Sequence, residues 1–121
     1  MAAHMLGCLY MIKPFLHEVL PPSLGAVLVL DTDLRVVGDV RELLVGELEA
    51  QRISGAVLGV AVEMQPEYLK AGLGRGYNGS VQLLDLQAMA HSPAYRGFLA
   101  TVVGAISNPE NRRGAIRRFT R

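Results

Sequence analysis

Gly74-Arg-Gly-Tyr-Asn-Gly-Ser-Val-Gln-Leu-Leu-Asp-Leu86 is the stretch on which the fold turns. Asn78-Gly79 is the preferred pair for a two-residue type I′ hairpin, because both central positions of that turn need positive φ. Tyr68 to Tyr77 and Ser80 to Leu86 then become the two arms of a β-hairpin. Gly74 to Gly79 also spells G-x-G-x-x-G, but the dinucleotide fingerprint joins a strand to a helix N-terminus, whereas the residues after Gly79 read as a strand. A glycine-rich hairpin is expected, with Asp85 at a strand end accepting backbone N–H bonds.

Upstream, Gly25-Ala-Val-Leu-Val-Leu-Asp31 is aliphatic and β-branched, and Asp31-Thr-Asp33 is turn chemistry. This predicts a buried strand, with Leu34 to Gly38 as its return strand. Asp39 is a candidate N-cap with Glu42 three residues on, and Val40, Leu43, Leu44 and Leu48 follow at helical spacing, so a short helix is expected through Glu49. Gly46 weakens it by about 1 kcal/mol, which leaves a strand and turn as the alternative. Ser54 to Met64 has no polar helical face and reads as a central strand closed by Pro66. Downstream, Ser92-Pro93 pairs an N-cap with proline at the first helical position. Phe98, Leu99, Val102, Val103 and Ile106 make one apolar stripe on the helix that follows, and Asn108-Pro109 stops it.

The chain has 121 residues, half of them apolar and 19% charged, which suits one folded domain and not a disordered segment. Its longest apolar runs fall far short of the roughly 20 residues that cross a bilayer, so no membrane partner is expected. The organisation read from this is an N-terminal segment over 1–14, a globular domain over 15–109 and a basic tail over 110–121. Residues 1–4 fit an expression remnant ahead of a start at Met5. Formal charge is +1, yet the tail sets five arginines against Glu110, a net of +4, and the other 109 residues carry −3. Arg112, Arg113, Arg117 and Arg118 are therefore the candidates for an anionic partner, nucleic acid included, although a protein partner is favoured.

Nothing in the residue pattern points to chemistry. Cys8 is the single cysteine, which excludes an internal disulfide and suits the cytoplasm. His4, His17 and His91 lack metal-ligand spacing, and Glu63 and Asp85 are isolated carboxylates. No catalytic residue, metal ligand or cofactor is expected, and the chain is read as a non-enzyme. So apolar a domain with so few charges is expected to keep an uncovered face and to form a homodimer, with Phe98, Leu99, Val102, Val103 and Ile106 as interface candidates.

Residues 66–90, with Ser-Val-Gln-Leu-Leu-Asp-Leu at 80–86, resemble the closing hairpin of CheW-like chemotaxis coupling domains. Val27 to Leu44 is similar to the segment that precedes it there, so the likeness covers about residues 25–90. The resemblance implies a non-catalytic adaptor that docks another protein. With the local readings it implies an α+β, mainly β fold: a small hairpin-built curled sheet or partial barrel with a C-terminal helix. The other function classes left open are an arginine-tail module for an anionic partner and a small-ligand-binding protein.

Overall fold

The computed structural model describes residues 11–62 and 76–108. These form an α+β unit in which helix outweighs strand, about 52% against 22%. The sheet has three strands, β1 (Ala26–Leu30), β2 (Leu58–Val62) and β3 (Tyr77–Asp85), in the order β1-β3-β2, with both neighbours antiparallel to β3. The helices are α1 (Leu16–Val19), entered through a 3-10 turn at Lys13–Phe15; α2 (Leu48–Ser54), entered through a π-helical turn at Leu43–Glu47; α3 (Leu86–His91); and α4 (Pro93–Ser107). None of them is long and apolar enough to cross a membrane.

The expected type I′ hairpin is absent. Asn78 and Gly79 lie within β3, and Gly55 is the one described residue with positive φ. The turn-forming pair is spent on a bulge instead. Val60 pairs with Gln82 while its neighbour Ala61 pairs with Asn78, so β2 skips Gly79, Ser80 and Val81. Asn78 Oδ1 accepts the Ser80 N–H at 2.8 Å, the local side-chain bond that favours Asn where a ladder is interrupted. The partner of β1 is consequently β3, some 50 residues downstream. Leu34 to Gly38 forms no strand, and Ser54 to Met64 supplies an edge strand instead of a central one. The open three-stranded sheet replaces the partial barrel.

The helical expectations fared better because they rest on contacts within a few residues. Asp39 Oδ1 accepts the Arg41 N–H at 2.9 Å, and the helix runs past Glu49 to Ser54, with Gly46 inside its π-helical turn. Gly55 ends it at φ 74°, returning its N–H to Arg52 O. Ser92 Oγ accepts the Tyr95 N–H at 3.1 Å and opens α4, which stops before Asn108.

Residues paired across a sheet share a face, which separates the strands into two sets. Val27 and Val29 lie with Leu84 and Gln82 on one face, where Leu84 joins Leu86, Met89, Tyr95 and Leu99 in the buried core under α1, α3 and α4. Burying each such aliphatic side chain is worth about 1.5–3 kcal/mol. Leu28 and Gly59, both opposite Leu83, lie on the other face, beneath the helical run that ends in α2.

Candidate functional site

Two features with chemical potential lie at or near the carboxyl end of β1. The first is a polar cluster where that strand runs out beside the β3 bulge. The Asp31 N–H bonds to Ser80 O at 2.9 Å, which places the Asp31 carboxylate next to the bulge. Lys13 reaches in from the 3-10 turn, its Nζ donating to Asp31 Oδ1 at 3.1 Å and to Gly79 O at 3.3 Å. The Lys13 ammonium, followed by the Ser80 side chain, holds the Asp31 carboxyl below its ordinary value, so it is ionised at neutral pH. Asp33 stands two residues further along the same turn, exposed. Sequence reasoning assigned Asp31 and Asp33 only to a turn. The Lys13 and bulge partners that set the site come from sequence separations of 18 and more, which no local pattern signals.

The second feature is an open cleft of about 440 Å³ between the helical run and the second face of the sheet. Leu28, Val81 and Leu83 form its floor, and Glu47, Gln51 and Ser54 line the helical side. Gln51 is 7% exposed, and among the described residues neither Nε2 nor Oε1 of its carboxamide has a hydrogen-bond partner. A buried polar group left in that state costs about 1–3 kcal/mol. Gly59 permits the approach, since a Cβ there would sit 2.8 Å from Gln51 Oε1. No sequence signal marked Gln51, because its surroundings are made by β2 and β3.

Asp85 has a structural task, as expected of a strand-end carboxylate. It is 2% exposed, caps α3 through the Ala88 N–H to Oδ1 at 3.0 Å, and takes the Arg52 Nε–H on Oδ2 at 2.6 Å. Burial alone would raise its pKa; the bonds from Arg52 and the α3 backbone outweigh that and lower it. Of the interface candidates, Leu99 is buried in the core, Val102 is half-buried, and Phe98, Val103 and Ile106 are exposed at 52%, 47% and 38%. Arg112, Arg113, Arg117 and Arg118 lie outside the described residues, as do His4, Cys8 and Glu63. Among the described residues, no three His, Cys, Asp or Glu side chains are grouped to hold a metal.

No family model matches the chain. Mouse xyloside xylosyltransferase 1 is 31% identical to it over an alignment of 109 positions that takes in 75% of this chain and 27% of the relative. The human protein of the same name is 30% identical over 110 positions, with the same two shares. The chain thus spans about a quarter of the length of the curated relatives it matches. The crystal structure of mouse xyloside xylosyltransferase 1 in its apo form superimposes with a TM-score of 0.67 and 29% identity, covering 81% of this chain and 41% of that one. These matches overturn the chemotaxis-adaptor resemblance and the non-catalytic, non-enzyme reading that went with it, since the sequence relatives and the solved structure alike carry the name of a xylosyltransferase. The arginine-tail and small-ligand-protein alternatives are not favoured either. The resemblance misled because its pattern of glycines, aliphatics and one aspartate is also what a central strand with a bulge and a capped following helix requires.

Proposed function

We propose that this chain acts as a glycosyltransferase of the xyloside xylosyltransferase kind, moving a xylosyl unit from an activated donor to a hydroxyl of a xyloside acceptor. The observation that carries the reading is the agreement of sequence and fold on one protein: 29% identity at a TM-score of 0.67 over 81% of the chain. In such a transfer the acceptor oxygen bonds to the anomeric carbon of the donor while the bond from that carbon to the donor's phosphate oxygen breaks. The phosphate leaves with the electron pair, and the hydroxyl proton passes to phosphate or solvent.

The polar cluster at the end of β1 is the part of this chain suited to the charged end of a phosphate-activated donor. Asp31 and Asp33 offer two carboxylates, the number a Mg²⁺-type cation takes from a protein when substrate phosphates complete its shell. Lys13 pairs with Asp31, so a cation held there would have to share that carboxylate with an ammonium. The bulge keeps the Gly79 carbonyl and the Ser80 backbone turned toward the same end of the sheet. The test is incubation of the chain with a phosphate-activated xylose donor and methyl xyloside, with the disaccharide product followed by mass spectrometry. Product is expected, reduced about a hundredfold by Asp31→Ala. A chain that neither binds nor consumes the donor would overturn the reading.

A further inference from the structure

We infer that Lys13 is a built-in counter-ion at the end of β1, holding the place of a divalent cation on Asp31 so that the cation is taken up only together with a diphosphate. This role rests on the reading above of the strand end as a place for a cation and a phosphate-activated donor. Lys13 Nζ stands 3.1 Å from Asp31 Oδ1 and 3.3 Å from Gly79 O. Carboxylate and backbone carbonyl oxygens are ligand types that a hard cation takes, so the ammonium sits where such an ion would find its oxygens. It is also held there. Lys13 opens the 3-10 turn Lys13–Phe15, and the carbonyl of the next residue, Pro14, accepts the Tyr95 hydroxyl at 2.8 Å. Tyr95 belongs to the buried core, and Phe15 and Leu16 pack against that core. The base of the lysine stem is therefore anchored, and its side chain is only 15% exposed, unlike the solvated surface pair whose members wander.

Electrostatics gives the arrangement its consequence. A divalent cation arriving alone must either displace the ammonium from Asp31 or sit beside it. The first leaves a shielded ammonium without its carboxylate, the second sets two like charges side by side, and both cost affinity. A diphosphate brings negative charge that offsets either cost. Cation and diphosphate binding are then positively coupled, each raising the affinity for the other by the same factor. A neutral residue in place of Lys13 removes the obstacle to the cation alone, and that share of the coupling goes with it. The strand end thus stays closed to divalent cations until a phosphate-bearing ligand arrives.

The experiment is equilibrium dialysis of the full chain against Mn²⁺, alone and with inorganic pyrophosphate at matched free Mn²⁺, in the parent, Lys13→Met, Lys13→Arg and Asp31→Asn. The parent should hold Mn²⁺ at least about tenfold more tightly with pyrophosphate than without it. Lys13→Met should lower the Kd for Mn²⁺ alone about tenfold and reduce the pyrophosphate enhancement by the same factor, whereas Lys13→Arg, which keeps the charge, should behave as the parent. Asp31→Asn should remove this Mn²⁺ binding; binding that survives it lies elsewhere and would overturn the inference. So would an unchanged or weaker Mn²⁺ affinity in Lys13→Met, or an equal pyrophosphate enhancement in parent and variant. If thermal melts show that Lys13→Met does not fold, the parent still decides, because equal Mn²⁺ affinity with and without pyrophosphate overturns the coupling. Donor consumption, assayed in parallel, separates the two readings. Transfer with no effect of Lys13→Met on Mn²⁺ overturns this inference alone, whereas the Mn²⁺ effect without donor consumption supports it and overturns the transferase reading.

Discussion

The two faces of this sheet use the same three strands and do opposite things. On one face Leu84 meets Leu86, Met89, Tyr95 and Leu99, and helices α1, α3 and α4 close over them. On the other, among the described residues, a helical run with a π-helical turn leaves a cleft and a buried glutamine without a hydrogen-bond partner. The covered face holds the fold together. The other face is left partly open among the described residues, with the Gln51 carboxamide buried at a cost that packing for stability alone does not explain.

Truncation on the two sides should differ most. Met89 is 1% exposed, so Met89→Ala should cost about 2–5 kcal/mol in urea unfolding, whereas Leu43→Ala, at a cleft-lining position 41% exposed, should cost under about 1 kcal/mol. Equal losses would show that both faces are load-sharing cores and would remove the contrast.

Asp85 ties the faces together, reaching Arg52 on one side and the start of α3 on the other. Asp85→Ala should cost about 1–2 kcal/mol at neutral pH through a lost cap and the loss of a charge-assisted bond to the half-exposed Arg52. Its folded pKa is depressed, so its contribution is present above the unfolded value near 4 and is lost as pH falls through the lower folded value. Stability of the parent chain should therefore decline on acidification below about pH 4, and the variant should decline less. An unchanged slope in urea midpoints across that range would refute the assignment.

Smaller effects probe the helix over the cleft. Gly55→Ala should destabilise by about 1 kcal/mol, since φ of 74° disfavours any Cβ. Gly46→Ala should do the reverse, stabilising by up to about 1 kcal/mol, because a Cβ there meets nothing within 4 Å and alanine is the better helix former. Thermal melts of the two variants would move in opposite directions if the helical run is as described, and a shared sign would break the prediction.

What was legible in the chain was whatever a few neighbouring residues decide. Val27 to Leu30 is aliphatic enough to be a strand in most surroundings; Asp39, Asp85 and Ser92 cap because their side chains reach an N–H two or three residues on; α4 stops at Ser107, with Asn108 as its C-cap. What only the tertiary structure decided was pairing. Asn78-Gly79 suits a turn or a bulge equally well on local grounds, and the presence of β1 and β2 on both sides of β3 chose the bulge. The same holds for both candidate sites. Asp31 acquires its setting from Lys13 and Gly79, and Gln51 its burial from Gly59 and Leu83. Contacts across that much sequence leave no local periodicity, because each half of the contact is compatible with many partners and the global packing selects one.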